Sequence, residues 1–144
     1  MRDSLGGLVS IFIIVVFVVL IMGYLAFNVN YTKAFRMRDK VIDTLNVYDG
    51  YCNNDCKKEI DDYAKEIGYP RVTRCSNGEK DETGYYCYVQ LSKDDSRNTT
   101  FGDKTFYYEI YTKTSIDIPV INNLLKLNES LGELKGITKT FVKK

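Results

Sequence analysis

Four cysteines, twelve tyrosines and no histidine set the chemistry open to this chain of 144 residues. Without His there is no Ser-His or Cys-His nucleophile pair and no His-containing metal site. Cys52, Cys56, Cys75 and Cys87 are an even set in a short stretch, which predicts two disulfides and an oxidising compartment. Cys75 and Cys87 flank a polar stretch carrying an Asn77-Gly78 turn signal, so a hairpin there would set them face to face and leave Cys52 to Cys56. Four cysteines allow three connectivities, and the crossed pairs of Cys52 with Cys75 or Cys87 stay open at this point. The spacings C-x3-C and C-x11-C differ from the C-x2-C pairs of zinc sites, and no redox C-x-x-C occurs.

The remaining polar residues form no catalytic constellation. Asp61-Asp62 and Asp94-Asp95 are neighbours in sequence, so their side chains diverge, and neither follows the calcium-loop pattern. Gly-rich phosphate loops are missing. The expectation is therefore a protein that is not an enzyme, with no catalytic residue, no metal and no cofactor. Lys and Arg number 20 against 19 Asp and Glu, a net charge of +1, which points away from a nucleic-acid partner. The tyrosines offer binding chemistry instead. Tyr86, Tyr88, Tyr107 and Tyr111 fall on strand faces opposite the expected core, as a partner surface or as ordinary cross-strand pairs.

These residues must be held by elements legible in the hydrophobic pattern. Leu5 to Phe27 is 23 residues without one charge. As a helix it spans roughly 35 Å, enough for a hydrocarbon core of about 30 Å. A single segment in lipid satisfies its backbone only as a helix, and Tyr24 falls where an interfacial aromatic belongs. The run is too long for the apolar region of a cleaved signal peptide and lacks a small-x-small site, so an uncleaved anchor in membrane lipid is expected. Gly6, Gly7 and Ser10 cluster near its start, where small residues let another helix approach.

Helical spacing then continues through Tyr31, Ala34, Val41, Leu45 and Tyr48, with Phe35 and Ile42 beside them, and nothing breaks it before Gly50. A second helix is predicted on Ile60, Tyr63, Ala64 and Ile67, capped by Asn54 or Asp55 and ended by Gly68. After Pro70 the period becomes two. Strands are expected at Arg71 to Cys75 and through Tyr85, Cys87, Val89 and Leu91, these four facing inward. Ser92 to Thr100 reads as a loop. A further strand runs from Phe106 to Ile118, with Phe106, Tyr108, Ile110, Ile116 and Ile118 on one face, and Pro119 ends it. A helical turn around Asn122 to Lys126 follows, and Leu134 to Val142 is a last strand weakened by Gly136. The chain divides into a tail at 1–4, a transmembrane helix at 5–27, an amphipathic extension at 28–50 and a disulfide-containing domain at 51–144. The fold class is α+β: a long helix whose apolar stripe packs on an antiparallel sheet of about four strands, plus a short second helix.

Two rules disagree on the side of the membrane. Lys33, Arg36, Arg38 and Lys40 follow the apolar run and would keep the domain in the cytosol. The cysteines place it outside, and the basic residues also serve as the polar side of the helical extension. An exported, extracytoplasmic domain is the expectation.

An apolar N-terminal helix that runs unbroken into an amphipathic half, packed on an antiparallel sheet held by disulfides, resembles type IV pilins and the TadE-like pilin-like subunits of tight-adherence systems. In that family a peptidase cuts after a Gly and a Glu stands fifth in the mature chain. Gly7 is the corresponding cut site here, and Phe12 stands fifth. The resemblance implies a structural subunit that assembles with other pilin-like or membrane proteins through its N-terminal helix, with Gly6, Gly7 and Ser10 in the contact. The alternative from the residues themselves is a signal-anchored surface module that binds a partner protein or glycan through its tyrosine-rich sheet face.

Overall fold

The computed structural model describes residues 2–93, 105–114 and 132–142. Helix α1 runs from Arg2 to Val47, and α2 from Asn54 to Glu66. Five strands follow: β1 (Glu79–Lys80), β2 (Cys87–Lys93), β3 (Thr105–Thr114), β4 (Gly132–Ile137) and β5 (Phe141–Val142). All pair antiparallel in the order β1-β2-β3-β4, with β5 also on β3. The architecture is α+β, with the second half of α1 packed on one face of the sheet and α2 packed against α1.

No proline interrupts α1, and its three glycines lie in the apolar half, so the helix continues for 46 residues. It stops where Asp49 and Gly50 turn left-handed at φ 51° and 80°. The Gly50 N–H then donates to the Leu45 carbonyl at 2.9 Å. Gly50 is required twice over, because an added Cβ would sit 2.7 Å from the Phe141 ring.

The stripe that docks on the sheet is Ala34, Met37, Val41, Thr44 and Leu45, all buried. It meets Ile60 and Ala64 from α2 and Ile110 from β3 in one core cluster. Each fully buried Met, Ile or Val here contributes about 1.5–3 kcal/mol. The expected stripe was right in Ala34, Val41 and Leu45 but missed Met37, and it took in Tyr31 and Phe35, which are exposed. Thr112 on β3 adds a polar tie, donating its hydroxyl to the Ala34 carbonyl at 3.0 Å in the buried interface.

Several local expectations are corrected. The α2 cap is Asn53 rather than Asn54 or Asp55, its side chain accepting from the Cys56 N–H at 2.9 Å. Arg71 to Cys75 forms no strand. Only Val72 there is buried, and its N–H is satisfied by the Gly84 carbonyl at 2.8 Å. The hairpin turn before β2 is not at Asn77-Gly78. It spans Asp81 to Tyr86, where Gly84 takes φ 79° and its N–H reaches the Asp81 carbonyl. The last strand is two. From Ile137 to Phe141 is four steps, while their partners Glu109 to Phe106 are three apart, so one extra residue bulges between β4 and β5. The bulge turns Phe141 inward to 3% exposed, and Thr138 bridges it in both directions to the Tyr108 backbone at 3.0 Å. Gly136 marks a close approach rather than a weak point. A Cβ there would lie 2.4 Å from Ile42 Cδ1.

The largest correction concerns β2. Its register sets Tyr88 opposite Ile110 and Gln90 opposite Tyr108, so Tyr88 and Gln90 face the helices and Val89 and Leu91 face away. Tyr86 is 3% exposed. Alternation on β2 favours Cys87, Val89 and Leu91 over Tyr88, Gln90 and Ser92 as the inward set, and pairing with β3 overrides it for Val89 and Leu91. Ile116, Ile118, Pro119, the turn at Asn122 to Lys126 and most of the loop from Ser92 to Thr100 lie outside the described residues.

Candidate functional site

Two features stand out: an apolar helix that its own domain does not cover, and a tyrosine-lined cleft at the other end of α1. The first half of α1 is long and apolar enough to cross a membrane, with a mean hydropathy of 3.1 over its best window and none of that window buried. Leu8 to Tyr24 project large apolar side chains into open space. Gly6 and Gly7 would each meet no described atom within 4 Å on gaining a Cβ, and Ser10 is exposed. Among the described residues nothing lies against Gly6 or Gly7. Among the described residues the globular part takes hold from Lys33, whose ammonium reaches the Gly68 carbonyl at 3.4 Å, and Ala34 onward.

The four cysteines are paired as Cys52–Cys56 and Cys75–Cys87, with Cα separations of 5.2 and 5.9 Å. The first closes the turn that leads into α2. The second ties the irregular segment after Tyr69 onto the start of β2, across the edge of the sheet rather than within a hairpin. Two disulfides in so small a domain fit an oxidising environment. No group of three Cys, Asp or Glu able to hold a metal occurs among the described residues.

The cleft has a volume of about 220 Å³ and lies beside the turn after α1. Tyr86, Tyr88 and Tyr108 line it from the sheet. Tyr88 and Tyr108 meet edge to face at 5.9 Å, and Tyr86 lies 6.4 Å from Tyr88. The aromatic row continues through Phe106 to Tyr51 and Phe141. Burial pushes the Tyr86 phenol far above the usual tyrosine range, with Asp81 adding to the shift, and burial raises Tyr108 as well. Across the cleft, Lys57 pairs with Glu82 at 2.5 Å. That bond raises the Lys57 ammonium.

The four tyrosines chosen from sequence do not share one surface. Tyr86 and Tyr88 belong to the cleft side. Tyr107 and Tyr111 are on the outer face, each half-buried. There the Tyr111 hydroxyl donates to Glu109 at 2.7 Å, and Lys135 pairs with the same carboxylate at 2.7 Å. The Lys135 contact, then the Tyr111 one, holds the Glu109 carboxyl below its usual range. Gln90, Lys57 and Tyr108 were missed. Their signal needed the β2–β3 register, since Gln90 and Tyr108 are cross-strand partners 18 residues apart in sequence.

No known family model matches this chain, and neither a curated protein nor a solved structure does.

Proposed function

We propose that this protein is a membrane-anchored, exported pilin-like structural subunit that assembles through α1. One observation carries the reading: α1 is a single unbroken helix whose second half is locked into the domain while its apolar half is uncovered by any described residue. A rigid rod of this kind transmits contacts made in the bilayer directly to the domain. In lipid the apolar half is satisfied by acyl chains, and assembly exchanges those contacts for helix contacts, with Gly6, Gly7 and Ser10 allowing close approach. Two disulfides support an extracytoplasmic position for the domain.

The test is intact mass from native membranes, with alkylation before and after reduction, together with chemical cross-linking of wild type and Gly7→Leu. The reading expects no free thiols before reduction, higher cross-linked species in wild type and fewer of them in Gly7→Leu. Four thiols alkylated without reduction would place the domain in the cytosol. Cross-linking unchanged by Gly7→Leu would remove α1's small residues from the contact.

A further inference from the structure

We infer that the cleft beside the end of α1 is a binding site for a neutral saccharide unit. This does not rest on the pilin-like reading, because it concerns a different end of the molecule.

The charged groups of the cleft are Lys57, Lys80, Asp81 and Glu82, which sum to zero. Two salt-bridge partners are already engaged with each other, Lys57 with Glu82. Asp81 is engaged too, accepting from both the N–H and the hydroxyl of Thr83. So the cleft offers no net field to an ion and no free carboxylate to a cation.

Besides the Lys80 ammonium, which balances Asp81 in charge, three polar groups remain open on the wall: the hydroxyls of Tyr88 and Tyr108 and the amide of Gln90. None of their side chains has a hydrogen-bond partner among the described residues. All three both donate and accept. A sugar hydroxyl has the same dual character, whereas an ammonium or carboxylate would use half of what is offered. The aromatic bodies beneath those groups supply apolar surface for the C–H face of a pyranose ring. A peptide fits less well. Peptides add to sheet edges or lie in long grooves, and here β1 already pairs the β2 edge at Cys87 and Tyr88, beside a compact pit.

The cleft is also placed to meet a ligand. It lies at Leu45 and Gly50, about 18 residues of helix beyond Phe27, which is roughly 27 Å along the axis. With the apolar half in lipid, the cleft stands well clear of the head groups.

The experiment follows the ring resonances of tyrosine-labelled full-length protein by NMR, in micelles of a detergent with no sugar head group. The probes are galactose, N-acetylglucosamine, inorganic phosphate and a capped leucine dipeptide. The expected result is a saturable millimolar shift of Tyr88 and Tyr108 with a neutral sugar only. Gln90→Ala and Tyr88→Phe should each weaken it about fivefold while the rest of the spectrum stays that of the folded protein. Gln90 is exposed, so its replacement leaves the fold intact. No saturable shift with either sugar overturns the inference. So do equal affinity in both variants, stronger binding of phosphate, and stronger binding of the dipeptide.

Discussion

Replacing Tyr69 by Phe should both destabilise the protein at neutral pH and flatten its response to alkali. The Tyr69 ring is 5% exposed. Its hydroxyl donates to the Lys113 carbonyl at 2.7 Å and accepts from the Lys113 N–H at 2.8 Å. β2 begins at Cys87, opposite Tyr111, so Lys113 lies two residues beyond its reach. The phenol stands in for the missing strand by satisfying both backbone groups. Removing the oxygen leaves a part-buried donor and a part-buried acceptor, and a loss of about 1–3 kcal/mol is expected, below the sum for two fully buried groups. Burial pushes the Tyr69 phenol up from 10.0 to about 12, while Lys113 pulls slightly the other way. The folded state therefore keeps its proton where the unfolded chain has lost it. That contribution to stability is complete below pH 10 and disappears as pH rises towards 12, a loss of about 2.7 kcal/mol. Tyr69→Phe has no proton to lose, so the gap between variant and wild type should narrow across this window. Tyr86 titrates alike in both proteins and cancels in the comparison. The assay is guanidinium unfolding of the full chain in micelles at pH 7, 10 and 12, followed by tyrosine circular dichroism. A loss below about 0.5 kcal/mol at pH 7 would mean that water replaces the phenol. A gap that stays constant to pH 12 would refute the burial of its charge.

Gly136→Val should cost about 1–3 kcal/mol in thermal unfolding, because its Cβ would press on Ile42 and Arg38 at the β4–α1 contact. Replacing Cys75 and Cys87 together by Ser opens a link with a sequence separation of 12 and should cost about 2–3 kcal/mol, measured by the same melt. Lys135→Met removes the main cause of the low Glu109 titration, so an NMR pH titration should show that carboxyl moving up towards its ordinary value. Thr112→Val should lose about 1 kcal/mol in denaturant unfolding through the missing bond to the Ala34 carbonyl, with little change in packing volume.

Much of the architecture is legible from pattern. The charge-free run from Leu5 to Phe27, the helical spacing that follows it and the absence of proline give α1 almost to the residue, because helix formation depends on near neighbours. The spacing of Ile60, Tyr63, Ala64 and Ile67 gives α2 for the same reason. Alternation from Phe106 onward gives β3 and its inward face, since its two faces differ sharply in polarity. The even cysteine count gives two disulfides, and pairing Cys75 with Cys87 leaves Cys52 with Cys56 by default.

What the pattern could not decide is everything that depends on which strand lies beside which. β2 carries Cys87, Val89 and Leu91 on one face and Tyr88, Gln90 and Ser92 on the other, so its own pattern points the first set inward. Only pairing with β3, with Tyr88 set opposite Ile110, turns Tyr86, Tyr88 and Gln90 towards the helices and builds the cleft. The bulge that turns Phe141 inward exists because β4 and β5 must both follow β3. Gly136 reads as a weak strand residue until Ile42 is seen against it. Local periodicity thus suffices for the helices, the candidate membrane span and the fold class. The tertiary structure decided strand register, the interior of β2 and the candidate site, because pairing with a neighbouring strand overrides the side that a two-residue period favours.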